Sequence, residues 1–412
     1  MYKFPTLMTI DPVLEAIAGY EELSHHKDVE NGYGFVMYNV AFAETFADPN
    51  SADSEEEAYR RHLRRECRGI KYDLETREIV SRPYHKFFNI GEKEETLPHR
   101  IDFTQPHVIM EKLDGSMLTP LLKRSTGDIL WMTKRGVTGV ADTALGFLGD
   151  NPNYELFCRD QIAVGLTPIF EWCTRKQRIV LDYGPEDRLV LTGIRNNLTG
   201  AYASYDEMTV LGELYGLDVV KILPYSVTDV DQFIKDARAL EGEEGYIVRF
   251  DDGTMYKIKG EWYCGIHNAV DSLRFEKDVI RLVLSDALDD AKPFLVPSLL
   301  SAVDAFHQGL LEGVRATATD IYWYVMDAKI HYDTDKKSFA AAVKNGPFAH
   351  LSKYCFYAWD RNMELKDVVD QLISDVIAAT GSSGNVQRAR HLFGGIKWED
   401  FIGGDFESSA SD

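Results

Sequence analysis

The chain has 412 residues, 45% of them hydrophobic, which is enough to bury a large core divided among two or three domains. Its 66 acidic residues outnumber 45 basic ones and leave a net charge of −21. That balance excludes a protein that coats nucleic acid through a generally basic surface, but it leaves room for cations focused in one groove. Five cysteines (Cys67, Cys158, Cys173, Cys264 and Cys355) lie scattered without a Cys-x-x-Cys, so neither a zinc site nor a disulfide framework is indicated. Met1-Tyr-Lys-Phe-Pro5 begins no secretory signal and no apolar run reaches membrane-spanning length, so a soluble, cytoplasmic protein without a membrane partner is expected.

In chain order, residues 33–40 read as a strand, and acidic residues gather at 48–57. In Arg60-Arg-His-Leu-Arg-Arg-Glu-Cys-Arg68, the residues Arg61, Arg64, Arg65 and Arg68 recur at helical spacing. That is the mark of a solvated face, with Arg60, Arg61, Arg64 and Arg65 as surface groups. Arg68, just ahead of Gly69 and an apolar strand start, stands apart from it. The run Val108-Ile-Met-Glu-Lys-Leu-Asp-Gly115 then places Lys112 at the mouth of a buried strand, before an Asp-Gly turn. An amine held there can act as a nucleophile if its neutral form is favoured and an electrophile is positioned.

Residues 129–133, 178–181 and 189–192 read as strands, and 205–215 and 230–240 as helices. Glu171 closes the apolar run Thr167-Pro-Ile-Phe170, where an unpaired carboxylate is costly, so a liganded role is expected. Residues 243–250 form a strand, 251–254 a tight hairpin turn and 255–259 the returning strand. Strand alternation puts Lys257 and Lys259 on one face. Alone, such a pair reads as an edge strand guarded against aggregation. Beside Lys112 and Glu244-Gly245 it reads as a seat for a polyanion.

After residue 268 the strand signal ends. Val369, Leu372, Ile373, Val376 and Ile377 make one amphipathic stripe, and Leu299, Leu300, Val303, Phe306, Leu310 and Val314 make another. The segment Ile321-Tyr-Trp-Tyr-Val325 reads as helix core rather than a base-stacking surface. The expected architecture is α+β: a domain of antiparallel sheets with flanking helices over residues 1–268, an all-helical domain over 269–402 and a disordered tail over 403–412.

Lys112-Leu-Asp-Gly, Glu171-Trp-Cys-Thr, Glu244-Gly-Tyr and Lys257-Ile-Lys resemble, in order and spacing, four motifs of the covalent nucleotidyltransferases. Glu66-Cys-Arg-Gly-Ile70, Lys86-Phe-Phe-Asn-Ile-Gly-Glu92 and residues 193–205 narrow the resemblance to the bacteriophage RNA ligase 1 family, over the span from the N-terminus to Tyr263 and His267. The resemblance implies an ATP-dependent RNA ligase that joins a 5′-phosphate to a 3′-hydroxyl through lysyl-AMP and adenylylated RNA. Lys112 would be the nucleophile, with ATP and Mg2+ or Mn2+ as cofactors. Arg68 and Lys86 would contact phosphates, Lys257 and Lys259 the α-phosphate, and Glu171 a ribose hydroxyl. Glu244 would bind nucleotide or metal, Lys134 would add another cation and Phe88 would line the pocket. Glu111, Asp114 and Gly115 would complete the nucleotide-binding set.

For the metal, Glu244, Asp289 and Asp290 are the candidates, although Asp271, Asp289 and Asp290 read better as helical surface acidity. Lys86 has a bland reading as loop charge, and Phe87 and Phe88 as core. The helical appendage of this family is associated with repair of broken tRNA, so RNA ends, tRNA among them, are the expected partners of a monomeric enzyme. Two alternatives stay open: a non-catalytic nucleic-acid-binding protein of the same fold, and a nucleotidyltransferase using GTP or acting on DNA.

Overall fold

The computed structural model describes residues 4–174, 181, 183–285, 288–295, 297–361 and 363–402. The expected strand at 178–181 and the tail at 403–412 lie wholly or largely outside the described residues. By contact density the chain divides into two compact units, Met1–Cys264 and Gly265–Ala410. Among the described residues, no helix is long and apolar enough to cross a membrane.

Among the described residues, the first unit is built on three sheets. β1 (Leu23–Asp28), β2 (Tyr33–Tyr38), β3 (Arg68–Asp73) and β4 (Ile79–Ser81) form an antiparallel meander. β5 (Phe88–Asn89) and β6 (His107–Glu111) are the edges of another sheet, which later chain fills with β12 (Gly245–Phe250) and β13 (Met255–Lys259) in the order β5-β13-β12-β6. The third takes β7 (Ser116–Leu122), β8 (Ile129–Met132), β9 (Leu166–Cys173), β10 (Arg188–Asn196) and β11 (Asp218–Val219) in the order β11-β10-β9-β7-β8. The ladders are antiparallel except at two short edges, where β5 runs parallel to β13 and β11 to β10. Such two-residue strands carry no periodic signal of their own.

Local chemistry explains the elements. The helix Tyr205–Tyr215 starts at a capping box in which Ser204 and Glu207 satisfy each other's backbone donors, and it stops at Gly216 in the left-handed conformation. The β12–β13 hairpin is closed by the Phe250 amide donating to the Thr254 carbonyl at 2.9 Å, with Gly253 at φ +87°. The turn therefore has three residues, with glycine where a left-handed residue is needed.

The helix Glu55–Arg65 corrects the expectation of a solvated arginine face. Arg64 and Arg65 are only 2% and 5% exposed. Arg64 donates to Glu57 at 2.7 Å and lies 4.7 Å from the centre of the Tyr20 ring. Arg65 donates to Glu95 at 2.6 Å and lies 5.2 Å from the Phe88 ring. The stripe turns inward because carboxylates, carbonyls and ring faces await each guanidinium there. Arg60 remains at the surface, paired with Glu56.

A buried ion cluster knits distant segments of this unit together. Glu66 is held by Arg195 at 2.8 Å through both guanidinium nitrogens, and by Arg82 at 3.0 and 3.1 Å. The outer faces of the arginines donate to the carbonyls of Pro5, Pro83, Asn197, Leu198 and Gly200. Burial raises the Glu66 carboxyl, but the Arg195 and Arg82 charges outweigh it and hold the group well below the usual carboxylate range.

The second unit is helical throughout its described residues. Its spine is a 36-residue helix, Pro297–Tyr332, whose Val303, Phe306, Leu310, Val314, Ala318, Ile321 and Val325 are fully buried. The helix Leu365–Ala379 adds Val368, Leu372 and Val376 to that core. The aromatic segment splits: Ile321 and Val325 enter the core, whereas Trp323 is 63% exposed, as a helix repeat of 3.6 residues requires.

Candidate active site

Lys112 follows β6 directly, and its amide donates to the Gly245 carbonyl at 2.9 Å, where the chain enters β12. Gly245 has φ +142°, and a Cβ there would lie 2.0 Å from the Ile258 carbonyl oxygen, so only glycine fits. The turn places Glu244 against two lysines. Its Oε1 lies 2.6 Å from Lys112 Nζ and 3.0 Å from Lys259 Nζ, with the carboxylate almost fully buried.

The register of the β12–β13 hairpin sets Lys257 opposite Ile247 and Lys259 opposite Gly245, so both lysines leave one face of the sheet. Lys257 stands among cations. Burial, followed by the charges of Lys86, Arg68, Lys112 and Lys259, pushes its ammonium down to about 7. Five positive groups thus converge with one carboxylate between two of them. A protein holds such an arrangement at a cost that a bound polyanion relieves.

Glu171, on β9 opposite Met117 and Val190, completes the acidic side. Burial raises its carboxyl to about 7; Lys112 opposes the rise, and Glu244 adds to it. Asp114 is tied into the loop: its Oδ2 accepts from the Leu181 amide at 2.8 Å and its Oδ1 from the Tyr263 hydroxyl at 2.7 Å. Its own amide donates to the Tyr183 hydroxyl at 2.7 Å. Gly115 lies so close to β9 that a Cβ would stand 2.5 Å from the Trp172 carbonyl oxygen.

Arg68 opens β3 and lies 5.4 Å from the Phe87 ring. Lys86 is buried between the Phe88 ring at 4.9 Å and the Tyr38 ring at 5.3 Å, and Lys134 shares the Tyr38 ring at 5.8 Å. Burial lowers the Lys86 ammonium, with Arg68 and Arg65 adding to the fall. Phe88 packs in the core of the meander sheet, near Phe46, and carries Arg65, Lys86 and Lys93 around its ring. A cavity of about 720 Å3 is lined by Arg65, His85, Lys86, Phe88 and Glu95 among others, and not by Lys112, Glu244 or Lys257.

The structure therefore brings together Lys112, Glu171, Glu244, Lys257, Lys259, Arg68 and Lys86. Glu111 is turned away. It pairs with Tyr246 in the ladder and so faces opposite to Lys257 and Lys259. The side chains of Asp289 and Asp290 lie outside the described residues, and Asp271 pairs with His267 at 3.3 Å on its own helix. Among the described residues, Tyr38 beneath the two lysines and Tyr183 and Tyr263 on Asp114 contact the site without an assigned role in the sequence. Tyr263 also lies 5.0 Å from Lys259 Nζ, ring to charge. An aromatic residue just after Lys-x-Lys was the available signal.

Among the described residues, no three His, Cys, Asp or Glu side chains gather as a metal-binding group. Glu171 and Glu244 still sit close enough for one to raise the other. Two carboxylates beside a phosphate seat fit a divalent ion held mainly by phosphate oxygens and water.

A family model described as RNA ligase matches residues 66–263, a span that contains nearly every residue just placed. A Thermovibrio ammonificans protein named "Putative RNA ligase" is 30% identical over 291 residues, covering 69% of this chain and 70% of the relative. The chain belongs to the RNA ligase 1 family. It is an enzyme that ligates RNA. RNA ligase 1 of bacteriophage TS2126 is 27% identical over 212 residues, covering 48% of this chain and 50% of the phage protein. Among solved structures, an archaeal ATP-dependent RNA ligase overlaps 63% of this chain and 64% of its own, with 15% identity and a TM-score of 0.42.

Two results are expected at this ligase's cation cluster. Lys257→Met removes a charge that its neighbours repel, so melting temperature holds or rises while joining activity falls about ten- to hundredfold, the range of a lost charge-assisted contact. Wild-type activity in that variant would make Lys257 a bystander. For Glu171, the folded carboxyl lies at about 7 against an ordinary 4.5. The folded state therefore holds its proton longer than the unfolded one, and the group's contribution to stability declines as pH rises from 4.5 to about 7. The stability of wild type relative to Glu171→Gln should fall across that interval in denaturant melts. A flat difference would contradict the burial argument.

Proposed function

We propose that this RNA ligase uses ATP to join a 5′-phosphate to a 3′-hydroxyl, with Lys112 as the nucleophile. The observation that carries the reading is the Lys112–Glu244–Lys259 contact set inside the cluster of Lys257, Lys86 and Arg68.

In the first step the neutral Lys112 amine attacks the α-phosphorus. A Nζ–P bond forms, the bond to the pyrophosphate oxygen breaks, and the amine's proton passes to solvent or to the departing pyrophosphate. Lys257 and Lys259 hold the α-phosphate oxygens, while Arg68, Lys86 and Lys134 neutralise the departing pyrophosphate. Glu244 must release Lys112 for this, and the phosphate oxygens offer Lys259 another partner. Glu171 accepts a ribose hydroxyl, and Asp114 with Gly115 holds the loop. A Mg2+ or Mn2+ ion held by Glu244 and the phosphates would add charge neutralisation.

In the second step an oxygen of the RNA 5′-phosphate attacks the AMP phosphorus and the Nζ–P bond breaks. In the third, the 3′-hydroxyl attacks the 5′-phosphorus, its proton passes to solvent, the P–O bond to AMP breaks and AMP leaves. The helical second unit is the proposed source of substrate choice, with broken tRNA as the substrate class. Because a chain of net charge −21 would hold RNA only through cations focused at the site, RNA affinity is expected to be modest and to fall steeply with salt.

The test is joining of 5′-phosphorylated RNA with ATP, against 5′-hydroxyl RNA, DNA ends and GTP, on a linear oligonucleotide and a nicked stem-loop. Joining that requires ATP, the 5′-phosphate and RNA supports the reading, and preference for the stem-loop supports the tRNA part. Activity on DNA alone, or with GTP alone, overturns it.

A further inference from the structure

β3 does not pair evenly with β2. Val36 stands opposite Ile70 and Met37 opposite Arg68, so Gly69 is an extra residue in the ladder. Its φ of +87° and its unpaired place mark a β-bulge that bends the strand and re-aims the residue beside it. That residue is Arg68. On the other side, a Cβ on Gly69 would stand 2.6 Å from the Lys134 Cα, so the bulge sits directly on the backbone of Lys134. One irregularity in one strand thus sets two of the cations of the site.

A bulge leaves its carbonyl outside the ladder, and a buried carbonyl needs a donor. Lys71 supplies it. Its Nζ donates to the Gly69 carbonyl at 2.9 Å and to Thr119 Oγ1 at 3.2 Å. Lys71 and Thr119 are both 0% exposed. Thr119 belongs to β7, the strand that leaves the Lys112 turn. Among the described residues, no carboxylate lies within ion-pairing distance of Lys71. Burial alone pushes its ammonium down to about 7. A lysine kept in such a place at that cost is holding something for which an apolar side chain would not serve.

Building on the adenylyl-transfer reading above, we propose that Lys71 is a positioning residue for that step. It holds the Gly69 bulge by its carbonyl and anchors it to β7, so that Arg68 and Lys134 are fixed relative to Lys112. Lys71 touches no substrate, and its effect passes through Arg68 and Lys134. Lys71→Met keeps the length and bulk of the side chain and removes both hydrogen bonds. The Gly69 carbonyl then loses its donor and the bulge relaxes.

The experiment is a double-mutant cycle on formation of the lysyl-AMP adduct by the full chain, with Lys71→Met, Arg68→Ala and the pair. Lys71→Met is expected to lower the maximal labelling rate about tenfold or more, with a smaller change in the ATP concentration for half-maximal rate, because misplacement acts mostly in the transition state. The pair should lose clearly less than the product of the two single losses, because both variants displace or remove Arg68. A strut between sheets that merely softened the fold would instead give losses that multiply, and that result overturns the proposal. So does a wild-type rate in Lys71→Met. If Lys71→Met does not fold, Lys71→Gln, which keeps a neutral donor, goes through the same cycle with the same criteria. Absence of any adduct in the wild type would reject the adenylyl-transfer reading itself, and this inference would fall with it.

Discussion

Glu66→Ala is expected to destabilise the first unit by about 3–5 kcal/mol, because it leaves two buried guanidiniums facing each other without their shared carboxylate. Arg82 and Arg195 would keep their carbonyl partners, but those offset only part of each charge. For a unit of this size the loss corresponds to a fall in melting temperature of roughly 6–20 °C. Calorimetry on the full chain measures it, and a loss below about 1 kcal/mol would contradict the account. The effect also has a pH signature. The folded carboxyl titrates below its ordinary value, so the stability it contributes is present above the ordinary carboxylate range and is lost as pH falls below it. The gap between wild type and Glu66→Ala should therefore narrow in strong acid.

Lys112→Ala is expected to abolish joining of 5′-phosphorylated RNA by ATP, since no other cation of the cluster stands at the same strand end. Sealing of RNA that is already adenylylated should persist in part, because its AMP arrives activated and the third step needs no free lysine. The fold should survive the change, as Glu244 keeps Lys259 at 3.0 Å. A melting curve alongside the two joining assays separates lost chemistry from lost structure. ATP-dependent joining at the wild-type rate would remove Lys112 from its role.

What could be read in advance depended on how local the signal was. The helix Tyr205–Tyr215 announced itself through Ser204, Glu207 and Gly216, and the β12–β13 hairpin through alternation and a glycine-bearing turn. The long helical stripe of the second unit was legible for the same reason, its period. Period gives a face but not the side to which it turns, which is why Arg64 and Arg65 read as solvated and are buried. Alternation did carry the information that Glu111 faces away from Lys257 and Lys259, but only once the ladder was known. The Glu66–Arg82–Arg195 cluster joins residues up to 129 positions apart and leaves no local trace. Lys71 looks like any strand lysine until the bulge beside it is seen.

The most direct measurement is to incubate the wild-type protein with α-labelled ATP or GTP, denature it, and map the labelled peptide. The account predicts an acid-labile AMP adduct on Lys112, formed with ATP and discharged by 5′-phosphorylated RNA. No covalent label from ATP, or a label carried by another residue, would contradict it.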